Sequence, residues 1–189
     1  MNKSNIITKP LEKQYLAEKQ KIILYHFTSI GHMGKILSCG ELSKGDVPIN
    51  ATSGYNAVWF TVKSNVDNTS GMLQSNANKT NVRITFEFNL PTPNLYYWKD
   101  IAPKIGIERK TYQALDRSSN YKARDWWIYA GIIPLSCCKN IEYRLDIMSE
   151  YEPLDVNGQL AKEWIIKSKK LSTSFSVPNV TFLPFPSIY

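Results

Sequence analysis

Two short apolar blocks with one helix-length segment between them limit what this chain can become. Tyr25-His26-Phe27-Thr28 ends the run Ile22-Ile23-Leu24, and Ala57-Val58-Trp59-Phe60-Thr61 follows. Each block has the aliphatic and aromatic content of a short buried strand. Each also delivers polar side chains to one end: His26 and Thr28 from the first, Thr61 from the second. Between them, residues 30–39 read as a helix stopped by Gly40, a residue that takes the left-handed conformation without strain. A strand, a helix and a second strand with hydrogen-bonding groups beside aromatics can form a cleft for a flat, polar ligand.

The rest of the chain continues the alternation of strands and helices. Residues 5–20 read as a polar, amphipathic helix with Leu11, Tyr15 and Leu16 on one side. Residues 43–56 are rich in Gly, Ser, Asn and Pro and read as a loop, with the second strand over 57–62. The polar stretch 63–79 reads as a longer loop. Val82, Ile84, Phe86 and Phe88 alternate with Arg83, Thr85 and Glu87, the period of a half-buried strand. One or two short helices are expected between residues 95 and 123. "WWIYAGIIP" and "NIEYRLDIM" read as two more strands. After Ser149, "EYEPLDVNGQ" is expected as a loop, "LAKEWIIKSKK" as a helix or strand, and "VTFLPF" as an edge strand. No internal repeat or low-complexity tract interrupts the pattern, so the expected class is α+β. The expected organisation is an N-terminal helical segment over 1–20, a domain over 21–148, and an extension over 149–189 packed on that domain.

Composition excludes more than it assigns. The 189 residues suit one domain, and 43% hydrophobic with 21% charged residues is ordinary for a globular chain. No apolar run approaches the length of a membrane span and no signal-like segment follows Met1, so a soluble, cytoplasmic protein is expected. Cys39, Cys137 and Cys138 are odd in number, two of them adjacent, with no C-x-x-C spacing. That pattern argues against a disulfide framework or a zinc site, and Cys137 and Cys138 are expected to be packing residues. The net charge of +7 favours an anionic partner, although scattered groups such as Lys167, Lys169 and Lys170 fit a solvated surface equally well. The five Trp and eleven Tyr fit either β-rich core packing or aromatic walls around a planar ligand.

Four blocks together carry a family resemblance. The string "LYHFTSIGHMGKILSCGELSKG" resembles the opening of ADP-ribosyltransferase-fold proteins, in which a Y-H-x-T strand binds NAD and a helix-Gly-x-Leu segment follows. "AVWFT" is similar to the second strand of that fold and "NVRITFEF" to the third. "ARDWWIYAGIIPLSCCKNIEYRL" resembles the later block, in which an acidic residue opens a strand leading to "IPL". The likeness covers residues 21 to 146. It implies a split β-sheet core with peripheral helices and an NAD cleft, and NAD consumed as a substrate. It also implies transfer of ADP-ribose to a macromolecule, nucleic acid or protein, with neither metal nor membrane. Relatives of this size include toxins and phage effectors.

The resemblance implies roles for individual residues. His26 would hydrogen-bond an NAD ribose or the carboxamide, within a binding set of Tyr25, His26, Phe27, Thr28, Trp59, Phe60, Thr61 and Arg83. Its alternative is a buried histidine satisfied by backbone. Thr28 would touch adenine or ribose, or else cap the helix at Ile30, a role for which Ser29 competes. Trp59 and Phe60 point to opposite sides of their strand, so only one can face a cofactor. Arg83 would grip pyrophosphate if its face lines the cleft, and otherwise would pair with a carboxylate on a neighbouring strand. His32 is expected as an exposed helix residue.

Asp125 is the expected catalytic carboxylate, stabilising positive charge that builds on the ribose as nicotinamide leaves. Relatives usually carry Glu here. Asp is one methylene shorter, a difference of roughly 1 Å that can cost on the order of a hundredfold in rate. Glu163, which also precedes a Trp, is the rival acid. Three other outcomes stay open: a non-catalytic NAD or ADP-ribose binder on the same fold, an RNA 2′-phosphotransferase, and a basic nucleic-acid-binding module without cofactor. The phosphotransferase needs several arginines about a phosphate, and only Arg83 and Arg124 are suitably placed.

Overall fold

Gly40 ends the first helix as expected, with φ of 74° and its N–H donating to the Ile36 carbonyl at 2.8 Å. The computed structural model describes residues 20–42, 45–48, 53–65, 78–118, 123–172, 181–183 and 185–186. The expected helix over 5–20 therefore lies outside the described residues, save Gln20, which opens a strand. Among them the order is β1 (Gln20–Thr28), α1 (Ile30–Cys39), β2 (Glu41–Leu42), β3 (Gly45–Pro48), β4 (Ser53–Thr61), β5 (Val82–Leu90), β6 (Leu95–Tyr97) and α2 (Trp98–Ile101). Then come α3 (Arg109–Ser118), β7 (Trp126–Tyr129), β8 (Ile133–Pro134), β9 (Asn140–Tyr143), β10 (Glu152–Pro153), α4 (Gln159–Ser172) and β11 (Thr181–Leu183). The class is α+β.

The main sheet runs β10-β9-β5-β1-β4-β7-β6 and is antiparallel throughout. β1 and β5 are registered along nine residues, from Gln20↔Leu90 to Thr28↔Val82. β1 and β4, in contrast, share a single registered pair, Tyr25↔Thr61. β4 itself serves two sets of partners. Its first half pairs with β3 and, in parallel, with β11, and its second half pairs with β7. The two halves of the sheet are thus joined at one narrow seam.

Alternation along the strands builds a core on each face. Leu24, Val58, Phe60, Val82, Ile84 and Phe86 pack with Met33 of α1 and Trp164 of α4. Ala57 and Ile128 pack on the other face with Trp98 and Ile101 of α2, and with Ala102, Ile105 and Ala123. α4 presents Ala161, Trp164 and Ser168 inward, a helical period. It lies so close to α1 that a Cβ at Gly34 would overlap the Trp164 carbonyl oxygen.

Several expectations are corrected here. Residues 43–56 are not all loop: β3 forms, and β4 begins at Ser53 rather than at 57 and ends at Thr61. "WWIYAGIIP" is two strands in different sheets, because Gly131 at φ 134° breaks the chain between β7 and β8. "NIEYRLDIM" leaves the sheet after Tyr143, and the expected loop after Ser149 contains β10. "LAKEWIIKSKK" is helical. Cys137 is exposed rather than packed, whereas Cys138 lies against the first core. Among the described residues no helix is long and apolar enough to cross a membrane, and no cluster of metal-ligating side chains forms.

Candidate functional site

His26 sits at the seam. Its Nδ1 lies 2.9 Å from the Trp59 carbonyl oxygen on β4, where β1 and β4 are no longer in register. A carbonyl only accepts, so Nδ1 carries the proton and donates. Part of the residue stays accessible, but the ring is enclosed and stands edge-on to Phe60 at 6.0 Å. Burial lowers the His26 pKa to about 4; the bond to Trp59 opposes that shift, and the nearby charges of Lys79 and His32 add to it. At neutral pH the imidazole is therefore uncharged, with Nε2 as a bare acceptor. It can read a hydroxyl or N–H on a ligand.

Asp125 closes a single 3-10 turn, Ala123–Asp125, at the start of β7. Its backbone carbonyl accepts from Val62 N–H at 3.1 Å, which fastens it to the end of β4. Its side chain is 15% exposed, with Oδ2 3.9 Å from Lys63 Nζ, so its ion partner is Lys63 and not Arg124. Two registered pairs link this acid to the histidine: Tyr25↔Thr61 across β1 and β4, and Thr61↔Trp126 across β4 and β7. His26 follows Tyr25 and Asp125 precedes Trp126. β1 and β7 flank β4, so roughly 10 Å separates the two strands at this row. Thr61, buried at the end of β4, lies between the strands that carry them and accepts from Lys63 N–H at 3.2 Å.

The remaining candidates divide by face. Leu24, His26 and Thr28 share the face of Phe60 and the first core; Tyr25 and Phe27 lie on the other. Phe27 contacts the Tyr151 ring at 6.4 Å, and the Arg83 guanidinium lies over Tyr25 and Tyr151 at 5.8 and 4.2 Å. Arg83 is not on the face of His26. Its donors go to Glu142 on β9 at 2.8 Å and to the Ser64 carbonyl at 2.6 Å, the neighbouring-strand pairing. Trp59 turns its ring into the second core, 4.8 Å from Trp98 and 5.2 Å from Trp126, and Phe60 is the one that faces His26. Glu163 lies on the outer side of α4, accepting from Gln159 at 3.0 Å.

Ser29, not Thr28, caps α1. Its Oγ accepts from His32 N–H at 3.3 Å and stands 3.1 Å from His32 Nδ1. The hydroxyl can therefore donate to that nitrogen and leave Nε2–H to solvent. Thr28 is buried without serving as cap. Sequence reasoning missed Lys63, the ion partner of Asp125. Its position two residues after Thr61 was the signal available. The chain matches no protein-family model, no curated protein and no solved structure.

Proposed function

We propose that this chain is an NAD-dependent ADP-ribosyltransferase-like protein whose site lies at the β1–β4 seam, between His26 and Asp125. The observation that carries the reading is the register path Tyr25↔Thr61↔Trp126, which sets a neutral imidazole, its Nε2 an acceptor, and a carboxylate beside the two strands that flank β4. A sheet divided at that seam agrees with the split core that the sequence resemblance implies. His26 Nε2 accepts from a ribose hydroxyl, and Asp125 stabilises positive charge on the ribose as nicotinamide departs. Lys63 Nζ, 3.9 Å from Asp125 Oδ2, is the ion partner that orients the acid. Arg83, committed to Glu142 on the other face, has no part in this scheme.

The test is incubation of the protein with NAD labelled in the adenylate phosphate, together with single-stranded DNA, RNA or a cell lysate. Nicotinamide release with label on an acceptor is expected, and both should vanish in Asp125→Asn. Wild-type protein that binds NAD tightly yet never releases nicotinamide would return the chain to the class of non-catalytic binders. Protein that does not bind NAD at all would remove the reading.

A further inference from the structure

Beside Arg83, away from the face of His26, lies a buried cation that no acid matches. Arg144 follows β9, where the chain leaves the sheet, and is 8% exposed. Its Nε donates to the Thr80 carbonyl at 3.2 Å and its Nη1 to the Ile147 carbonyl at 2.7 Å. Its Nη2 is buried without an acceptor, and no carboxylate pairs with this guanidinium among the described residues. The Arg144 guanidinium lies over the Tyr151 ring at 4.6 Å, and that of Arg83 lies over the same ring at 4.2 Å. The Tyr151 hydroxyl donates to the Thr80 carbonyl at 2.6 Å, which fixes the ring between its partners. Glu142, the acid of this group, is already bonded to Arg83. Two positive charges thus share one negative. A buried guanidinium left in that state is costly unless an anion meets it.

We propose that Arg144 is the centre of an oxyanion site on this side of the sheet and that its ligand is a phosphate group. The planar fork of a guanidinium matches two phosphate oxygens, and the bonds are strengthened by charge. Nε stays on the Thr80 carbonyl and holds the fork in position, while Nη2–H is the donor left for a ligand. Nη2 is shut from solvent, so the anion enters as the turn over residues 145–150 moves outward. That turn is exposed at Leu145, Asp146, Met148, Ser149 and Glu150. It is closed on itself by Met148 N–H to Asp146 Oδ1 at 2.7 Å and Ser149 N–H to the Asp146 carbonyl at 3.1 Å. It can therefore shift as a unit. The shift breaks the bond from Nη1 to Ile147, and Nη1 joins Nη2 on the ligand. One bond to a neutral carbonyl is exchanged for a two-point grip on an anion. A singly charged carboxylate offsets Arg144 alone, whereas phosphate carries enough charge to draw on Arg83 as well. The site is independent of the NAD reading, because Arg83 lies on the other face from His26.

Nitrogen-15 NMR of the arginine side chains tests the site in the wild-type protein, where no variant has to fold. Inorganic phosphate should shift the Arg144 Nε and Nη signals saturably, and sodium chloride at equal ionic strength should not. Acetate should bind roughly tenfold more weakly than phosphate. The thermal midpoint should rise with phosphate over the same concentrations. Arg144→Lys keeps the charge but loses the fork, and should weaken phosphate binding roughly tenfold. Glu142→Gln leaves Arg144 in place and removes the competing negative charge, so phosphate should bind several-fold more tightly. Lys169→Gln, on the exposed side of α4, should match the wild type. Glycerol 2-phosphate separates the two sources of the ligand. If it binds as well, the site takes the phosphate end of a larger molecule; if inorganic phosphate alone binds, the ligand is the free ion. Arg144 signals that ignore phosphate, a response that chloride or acetate equals, or an affinity unchanged in both Arg144→Lys and Glu142→Gln would overturn the proposal.

Discussion

The His26 imidazole reaches from β1 to the Trp59 carbonyl of β4, 2.9 Å away, and does there what a backbone amide does elsewhere in the sheet. The bond fixes the tautomer and leaves Nε2 as a lone-pair acceptor. Asn in place of His keeps a donor near Nδ1 but has nothing at Nε2. His26→Asn should therefore fold with a loss under about 1 kcal/mol and bind NAD roughly tenfold more weakly. His26→Ala removes the donor as well and should cost about 1–3 kcal/mol in urea unfolding.

The same enclosure makes stability depend on pH. The folded-state pKa of His26 is about 4, against 6.5 for the free side chain. Between these values the unfolded chain holds a proton that the folded chain does not, so stability rises with pH across the window. Its contribution is fully present above pH 6.5 and is lost as pH falls to about 4, a change on the order of 3 kcal/mol. The His32 pKa is also lowered, first by burial and then by Lys35 and Lys79, and it acts in the same direction. Urea midpoints measured from pH 4 to pH 8 should climb steadily to near neutrality. In His26→Asn the climb should shrink but keep its sign, because His32 remains. A flat wild-type profile would mean that the ring is open to water.

Asp125 and Glu163 make opposite predictions. Asp125 is half-enclosed and fastened through Val62 and Lys63 to the end of β4. Asp125→Asn keeps the shape and removes the charge, so kcat should fall by about a hundredfold or more with NAD affinity little changed. Glu163 stands on the exposed side of α4, bonded to Gln159 one turn earlier, and Glu163→Gln should leave kcat unaltered. Steady-state nicotinamide release measures both.

Local chemistry was readable in the residues and partner choice was not. Ser29, Gly40 and the alternation of Val82 to Phe88 act within a few positions, and α1 and β5 follow from them. β3 and the first half of β4 were read as loop because Asn, Ser and Gly dominate there, and their pairing depends partly on Thr181–Leu183, far along the chain. The site divided in the same way. A histidine within an apolar strand was conspicuous, and alternation set the side of Arg83 within its own strand. Alternation does not say which side of one strand matches which side of the next. Thus Arg83 and His26, both candidates for one cleft, lie on opposite faces.

Gly34 tests how firmly the helices hold the sheet beneath the site. α1 begins two residues after Thr28, so its position also fixes Ser29 and His32. At Gly34 an added Cβ would overlap the Trp164 carbonyl oxygen and come within 2.9 Å of the Ser168 Cβ. The first obstacle is helix backbone, which cannot turn aside as a side chain can. Gly34→Ala must therefore push α1 and α4 apart, at a cost toward the upper end of about 1–3 kcal/mol despite the better helix propensity of alanine. Trp164, 4% exposed and edge-on to Tyr143 at 5.6 Å, would lose part of its packing in the shift. The expected outcome is a lower thermal midpoint together with altered tryptophan fluorescence. Alanine at the exposed Lys35, next along the same helix, should change neither. A stable Gly34→Ala with unchanged fluorescence would show that the two helices are not in contact at this crossing.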